Sequence, residues 1–191
     1  MAKKDREKWN KRYQNNPIPD RPIDLIVDYA TQAQKGKALD IACGMGRHSK
    51  YLASIGFEVD ALDISSVAIE EIQNIPNIYP KEIDFDSYEL PKDRYELVIC
   101  TFFLKRELFP QIVDALKDGG VFIYETFVYH PDNQQAPSER SYLLEAGELA
   151  DVFQDKLEFI HLDEYWSETM KGHKMKKASF VGRKVTTLYQ N

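Results

Sequence analysis

Cysteine is scarce in this chain: Cys43 and Cys100 are the only two among 191 residues. One lies in a glycine-containing turn and the other closes an apolar run, which excludes a disulfide framework and predicts reduced thiols in the cytoplasm. Histidine is scarce too. His48, His130, His161 and His173 show no H-x-x-x-H or Cys/His spacing, so no metal site is expected. Basic charge is in deficit, with 25 Lys and Arg against 31 Asp and Glu and a formal net charge of −6. That balance argues against broad attraction to a phosphate backbone, so nucleic acid is not an expected partner. No apolar run approaches the ~20 residues that span a bilayer, and the N-terminus lacks the ~7–15-residue apolar core of a secretory signal. No membrane association is expected. Neither a G-x-S-x-G turn nor a Ser-His-acid order is present to support acyl-enzyme chemistry. Internal repeats and low-complexity tracts are also missing, and oligomeric state is left open.

What is present centres on Leu39 to Ser65, LDIACGMGRHSKYLASIGFEVDALDIS. The apolar run Lys37–Ile41 reads as a buried strand. Ala42, Gly44 and Gly46 follow at every second position, then a helical stretch to Ile55 closed by Gly56. A second strand, Phe57 to Leu62, ends at Asp63. Strand, tight turn, helix, strand, acid is the order a nucleotide-type site needs. Glycines let backbone approach a ligand, and Asp63 offers two acceptor oxygens to a ribose diol. The spacing then separates ligands. A dinucleotide loop needs a third Gly or Ala where this chain has Arg47 or Ser49, so a nicotinamide oxidoreductase is the weaker reading. Asp40 stands before the loop, where it would repel a pyrophosphate and suit an ammonium group. An ordinary α/β turn, its glycines serving only the turn, is the remaining alternative.

This Asp40-x-Ala42-x-Gly44-x-Gly46 pattern resembles the first motif of class I S-adenosylmethionine-dependent methyltransferases, with Ala42 in place of the first glycine. Elsewhere, Trp9-Asn10-Lys11-Arg12-Tyr13 is similar to the family's W-D/N-x-R-Y opening. Tyr95 to Phe127 resembles its fourth and fifth strands with the intervening helix. Ser141 to Leu149 and the segment ASFVGRK resemble the branch that includes tellurite-resistance methyltransferases, although Trp166 to Lys177 lacks the His-Arg pair those enzymes carry. The resemblance implies a seven-stranded, mostly parallel sheet with an antiparallel last strand and S-adenosylmethionine in its cleft. It implies that Asp40 receives the methionine ammonium and that Ala42, Gly44 and Gly46 form the loop against the cofactor. Asp63 would bind the ribose, Ile64 would pack on adenine, Asp84 and Phe85 would border the base, and Thr101 would reach the methionine end.

The remaining chain is consistent with that plan. Residues 2–14 form a polar helix with Trp9 and Tyr13 on one face, and residues 1–20 read as a helical lid and a linker stiffened by Pro17, Pro19 and Pro22. Asp20 is a candidate cap for a helix whose apolar stripe is Ile23, Ile26, Val27 and Ala30. Ser65 or Ser66 caps a short helix to about Asn74, and a weak third strand spans Asn77 to Ile83. Glu96 to Thr101 is a central parallel strand. A helix on Leu108, Ile112, Ala115 and Leu116 ends at Gly119-Gly120, and Val121 to Phe127 is the fifth strand. Residues 128–140 read as an exposed loop and candidate substrate lid. Ala146, Leu149, Ala150 and Phe153 mark a helix, and strands at Leu157–Leu162 and Met175–Val185 close the chain as antiparallel neighbours. Of the polar residues after the fifth strand, Glu125, Tyr129, His130 and Arg140 read first as structural, and Lys174, Lys176 and Lys177 as a solvated edge. The expected protein is one α/β domain, doubly wound, that passes a methyl group from S-adenosylmethionine to a small-molecule acceptor. A domain that binds the cofactor without transferring methyl is the non-enzymatic alternative.

Overall fold

A computed structural model describes residues 2–15, 19–135, 137–169 and 171–185; Pro17 of the expected linker lies outside them. Alternating apolar faces on continuous runs build a sheet buried on both sides. Its strands are β1 (Lys37–Ile41), β2 (Glu58–Asp63), β3 (Ile78–Glu82), β4 (Tyr95–Thr101), β5 (Leu116–Phe127), β6 (Leu157–Glu168) and β7 (Lys174–Lys184). They lie in the order β3-β2-β1-β4-β5-β7-β6. The first five are parallel, and β7 runs antiparallel to both β5 and β6. The chain moves outward from β1 to β3 and then returns to lay β4 on the other side of β1. Above β1 and β4 the strand order therefore reverses, which is where an open α/β sheet leaves its ligand crevice.

The helices are α1 (Ala2–Asn15), α2 (Asp24–Tyr29), α3 (Arg47–Ser54), α4 (Ser66–Ile72), α5 (Leu108–Ala115) and α6 (Glu148–Phe153). On one face Leu39, Ile41, Val98, Phe122 and Phe180 pack beneath Phe109 and Ile112 of α5 and Phe153 of α6. On the other, Ala38, Val59, Leu97, Ile123 and Val181 pack beneath Ile26, Leu52 and Ile72 of α2, α3 and α4. No helix of the described residues is long and apolar enough to cross a membrane.

Several local expectations need correction. Asp20 does not cap α2: it pairs with Lys50 at 2.9 Å, and Ile23 occupies the cap position without a side-chain bond. The buried stripe of that helix is Leu25, Ile26 and Ala30, while Val27 is exposed. Gly119-Gly120 does not end α5, which stops at Ala115. The pair sits inside β5, where a Cβ on Gly120 would lie 2.9 Å from the Tyr95 carbonyl oxygen, beside the register shift between Tyr95 and Leu97. β6 runs six residues past Leu162 because β7 pairs with its polar half as fully as with its apolar half. Residues 128–135 are not a free lid. Asn133 donates to the Val128 carbonyl and accepts from the Lys176 N–H, and Gln134 exchanges two bonds with Lys174. Lys177 is not a solvated edge residue; its side chain is mostly buried against Glu125.

Candidate functional site

The turn after β1 is shaped by three residues in the left-handed region: Ala42 (φ +54), Gly44 (φ +54) and Gly46 (φ +75). At Gly46 two requirements coincide. A Cβ there would fall 2.6 Å from Ile72 Cγ2 of α4, so only glycine allows α3 to start against that helix. Ala42 adopts the same conformation with a side chain, which stores strain beside the crevice. Asp40, 2% exposed at the end of β1, accepts a 2.6 Å bond from Ser49 Oγ of α3. Burial pushes its pKa up to about 7, against the lowering effects of Ser49 and Arg47. A buried carboxylate held by one hydroxyl keeps lone pairs for a cation, and a cation arriving there restores its charge.

Asp63 stands beside it at the end of β2. Its Oδ2 accepts from the Gly44 N–H at 2.8 Å and its Oδ1 from the Ser65 N–H at 2.8 Å. Each oxygen retains a lone pair, so Asp63 can hold the glycine turn against β2 and still face a diol. Burial raises its pKa, and the N–H groups of Ser65, Gly44 and Ile64 oppose that shift. Ile64 is half-buried at the same strand end. Past β3, Asp84 Oδ1 accepts from the Asp86 N–H, and the Phe85 ring lies 5.4 Å from Phe103. This forms an apolar wall with an acid at its edge. Over this half of the crevice lies α1. Trp9 stacks on Tyr13 at 5.7 Å, and Tyr13 is buried within electrostatic reach of Asp63, Cys43 and Arg47. Asn10 fastens the helix to α4, accepting from Ser65 Oγ at 2.6 Å and donating to Ser66 Oγ at 3.2 Å.

At the end of β4 the character changes. Thr101 Oγ1 lies 3.4 Å from His48 Nδ1, and His48 Nε2 accepts from the Ile23 N–H at 3.4 Å. With Nε2 accepting, the ring proton sits on Nδ1 and points to Thr101. Burial, helped by Arg47, pushes the His48 pKa down to about 3, so the ring is neutral. Phe102 follows at φ +56, an uncommon conformation for a bulky residue, with its N–H bonded to the Glu125 carbonyl at 2.8 Å. Arg47 and Lys177 both lie over its ring, at 5.6 and 4.8 Å from the centroid. Glu125, in register with Thr101, is 5% exposed. It accepts from Tyr165 Oη at 2.8 Å and pairs with Lys177 Nζ at 3.2 Å. A cavity of about 580 Å³ opens here between α2, the end of β5 and the inner stretches of β7 and β6.

The structure thus brings Asp40, Ala42, Gly44, Gly46, Asp63, Ile64 and Thr101 to one crevice, with Asp84 and Phe85 at its far edge. Ser49, His48, Arg47, Phe102 and Phe103 stand beside them, bonded to or packed on Asp40, Thr101 and Phe85 or on one another. Ser49 and His48 lie in the sequence as ordinary helix residues, and only the packing of α3 against β1 and β4 reveals them. Phe102 and Phe103 directly follow the central strand, a position that marks the crevice whenever the strand is assigned. Arg140 covers the Tyr129 ring, and His130 meets Trp166 edge-on.

A family model described as "Tellurite resistance protein TehB" matches residues 1–181. A Haemophilus influenzae protein named "Probable S-adenosyl-L-methionine-dependent methyltransferase TehB" is 28% identical over 177 residues, covering 83% of this chain and 61% of that protein. The crystal structure of TehB from Haemophilus influenzae aligns with a TM-score of 0.74 and 25% identity, over 94% of this chain and 66% of that one. The chain therefore spans somewhat less than two thirds of these relatives. A Burkholderia thailandensis 1,6-didemethyltoxoflavin-N1-methyltransferase, solved with 1,6-didemethyltoxoflavin and S-adenosylhomocysteine, shares the fold with a TM-score of 0.70 and 15% identity. It covers 97% of this chain and 89% of its own.

Proposed function

The chain belongs to the tellurite resistance protein TehB family, and from that premise we propose that it is an S-adenosylmethionine-dependent methyltransferase acting on a small nucleophile. The observation that carries the reading is the pair of buried acids, Asp40 and Asp63, set around a left-handed Ala42–Gly46 turn. The residues fit this cofactor. Asp40 offers its remaining lone pairs to an ammonium. The turn has no Cβ at Gly44 to hold a ligand off, and Asp63 keeps a lone pair on each oxygen as an acceptor for ribose hydroxyls. Ile64, Asp84 and Phe85 border a flat base, and Thr101 marks the methionine end. When bound, S-adenosylmethionine supplies a methyl group already activated on a sulfonium.

The chain's own part is alignment and exclusion of water. Holding a nucleophile in line with the methyl group is worth up to ~7–11 kcal/mol in favourable cases. Residues 1–20 are assigned as lid and linker: Tyr13 is buried within electrostatic reach of Asp63, and Asn10 latches α1 to the start of α4. Such closure keeps water from the reacting centre. Transfer is direct, without a covalent enzyme intermediate. The setting is the cytoplasm, and the free buried thiols of Cys43 and Cys100 suit a reducing compartment.

Calorimetry with S-adenosylhomocysteine and with NAD tests the site, with tight binding expected of the first alone. Labelled methyl donor incubated with separated metabolite, RNA and protein fractions tests the reaction, with label expected among metabolites. Label confined to macromolecules overturns the small-acceptor reading. Cofactor binding without any transfer moves the assignment to a sensor.

A further inference from the structure

The cavity between α2, the end of β5 and the inner stretches of β7 and β6 shares a wall with the cofactor half of the crevice. Ile23 lines the cavity and gives its N–H to His48, whose other ring nitrogen meets Thr101. Glu125 lies at its floor, one strand over from Thr101 and in register with it. A group resting on Glu125 is therefore next to the strand end where the methyl donor is placed.

The lining is unequal in charge. Lys177 is engaged by Glu125 and Arg21 by Asp24, at 3.2 and 3.0 Å. Asp28 and Asp163 also line the cavity and form no ion pair among the described residues. Four carboxylates thus face two cations, and both cations are already paired. Tyr29 and Tyr165 add aromatic side chains to the lining. The field is felt locally: burial raises the Tyr165 pKa, and Glu125, Asp163 and Asp24 raise it further. An anionic acceptor entering here would meet unpaired carboxylates and no free cation, whereas a cationic one would meet complementary charge at the rim and an aromatic wall.

We propose that this cavity is the acceptor pocket and that its acceptor is an amine, with Glu125 receiving the amine's proton. The inference rests on the methyltransferase reading and narrows it. The bound ammonium passes one proton to the Glu125 carboxylate, which frees the nitrogen lone pair. That lone pair forms the C–N bond as the C–S bond breaks, and the C–S electrons stay on sulfur. The product leaves as a methylated ammonium, and the proton on Glu125 returns to solvent. Tyr165 and Lys177 hold the carboxylate in place through both oxygens, each of which keeps a lone pair for the substrate.

The test uses the whole chain saturated with S-adenosylhomocysteine and two probes of similar size and opposite charge, phenethylamine and phenylacetate. Phenethylamine should bind about tenfold or more tightly than phenylacetate, the effect of two exposed charge contacts. The Asp28→Asn/Asp163→Asn double variant should lose most of that preference. With labelled methyl donor, Glu125→Gln should lower transfer to phenethylamine about a hundredfold, the scale of a general base, while S-adenosylhomocysteine affinity holds. Because Glu125→Gln leaves Lys177 unpaired, Glu125→Gln/Lys177→Met serves as the charge-balanced control and should show the same loss. Equal or tighter phenylacetate binding, binding of neither probe, or a preference untouched by the double variant overturns the pocket. If S-adenosylhomocysteine itself does not bind, the methyltransferase reading fails with it; firm S-adenosylhomocysteine binding without amine preference overturns the pocket alone.

Discussion

The two halves of the crevice are built by different means. Above β1 and β2 the polar groups come from one continuous stretch, Asp40 to Ser65, and its carboxylates are steadied mostly by backbone N–H groups and one helix hydroxyl. Above β5, β7 and β6 the groups come from distant segments, and side chain answers side chain: Glu125 with Lys177 and Tyr165, His161 with Ser179. A turn held by its own backbone keeps one shape whatever lies beside it. A wall of paired side chains can be rebuilt by changing single residues while the strands stay in register. The first arrangement suits an invariant ligand and the second a chosen one.

The comparison breaks first at Gly46. Gly46→Val combines a left-handed side chain with a clash against Ile72, and it should cost about 2–5 kcal/mol in urea unfolding. Gly147→Ala has a similar φ of +78 but open space around the added Cβ, and should cost only about 1–2 kcal/mol. Equal losses would show that the turn is not the tighter construction.

Next in size is Asp63→Ala, which removes the partner of Gly44, Ser65 and the expected diol. Losing charged hydrogen bonds of roughly 1.5–3 kcal/mol should weaken S-adenosylhomocysteine about ten- to a hundredfold by calorimetry. Unchanged affinity would detach Asp63 from the cofactor.

The pH dependence should separate the halves further. Asp40 must be ionised to receive an ammonium, and its pKa stands at about 7. Cofactor affinity should therefore fall as pH drops below 7, approaching about tenfold per unit, and Asp40→Asn should flatten that slope. The ligand-free fold should respond in the opposite sense. Between 3.8 and about 7 the folded Asp40 holds more proton than the unfolded one, so its contribution to stability declines as pH rises through that window and levels off above it.

The smallest effect belongs to the lid. Asn10→Ala removes the two bonds to Ser65 and Ser66, worth about 0.5–1.5 kcal/mol each. Hydrogen exchange over residues 5–14 should slow when S-adenosylhomocysteine binds, and slow less in the variant. Identical exchange with and without ligand would rule out a lid.

How much of this was legible beforehand divides along the same line. The Asp40–Asp63 stretch could be read because strand, turn and acid sit within one βα unit, where sequence spacing equals spatial spacing. Ser49 and His48 could not, because their partners, Asp40, Ile23 and Thr101, are joined to them only by the way α3 packs. Lys177 looked like a solvated edge from its neighbours in sequence, yet pairing with β5 carries it over Phe102 and against Glu125. Gly119-Gly120 looked like a helix stop because a turn and a bulge ask the same residue types for the same reason, freedom at positive φ and close backbone approach.

The amino-acid sequence by itself determined the alternation of strands and helices, the glycine turn and the acids at the ends of β1 and β2, since each depends on residues within a few turns of chain. Only the tertiary structure decided what stands opposite them. The Glu125–Lys177–Tyr165 cluster and the cavity under α2 exist because β7 inserts antiparallel between β5 and β6, and His48 is neutral because α3 packs it against Ile23 and Thr101. Register across strands brings together side chains that no local pattern relates, and burial then sets their charge.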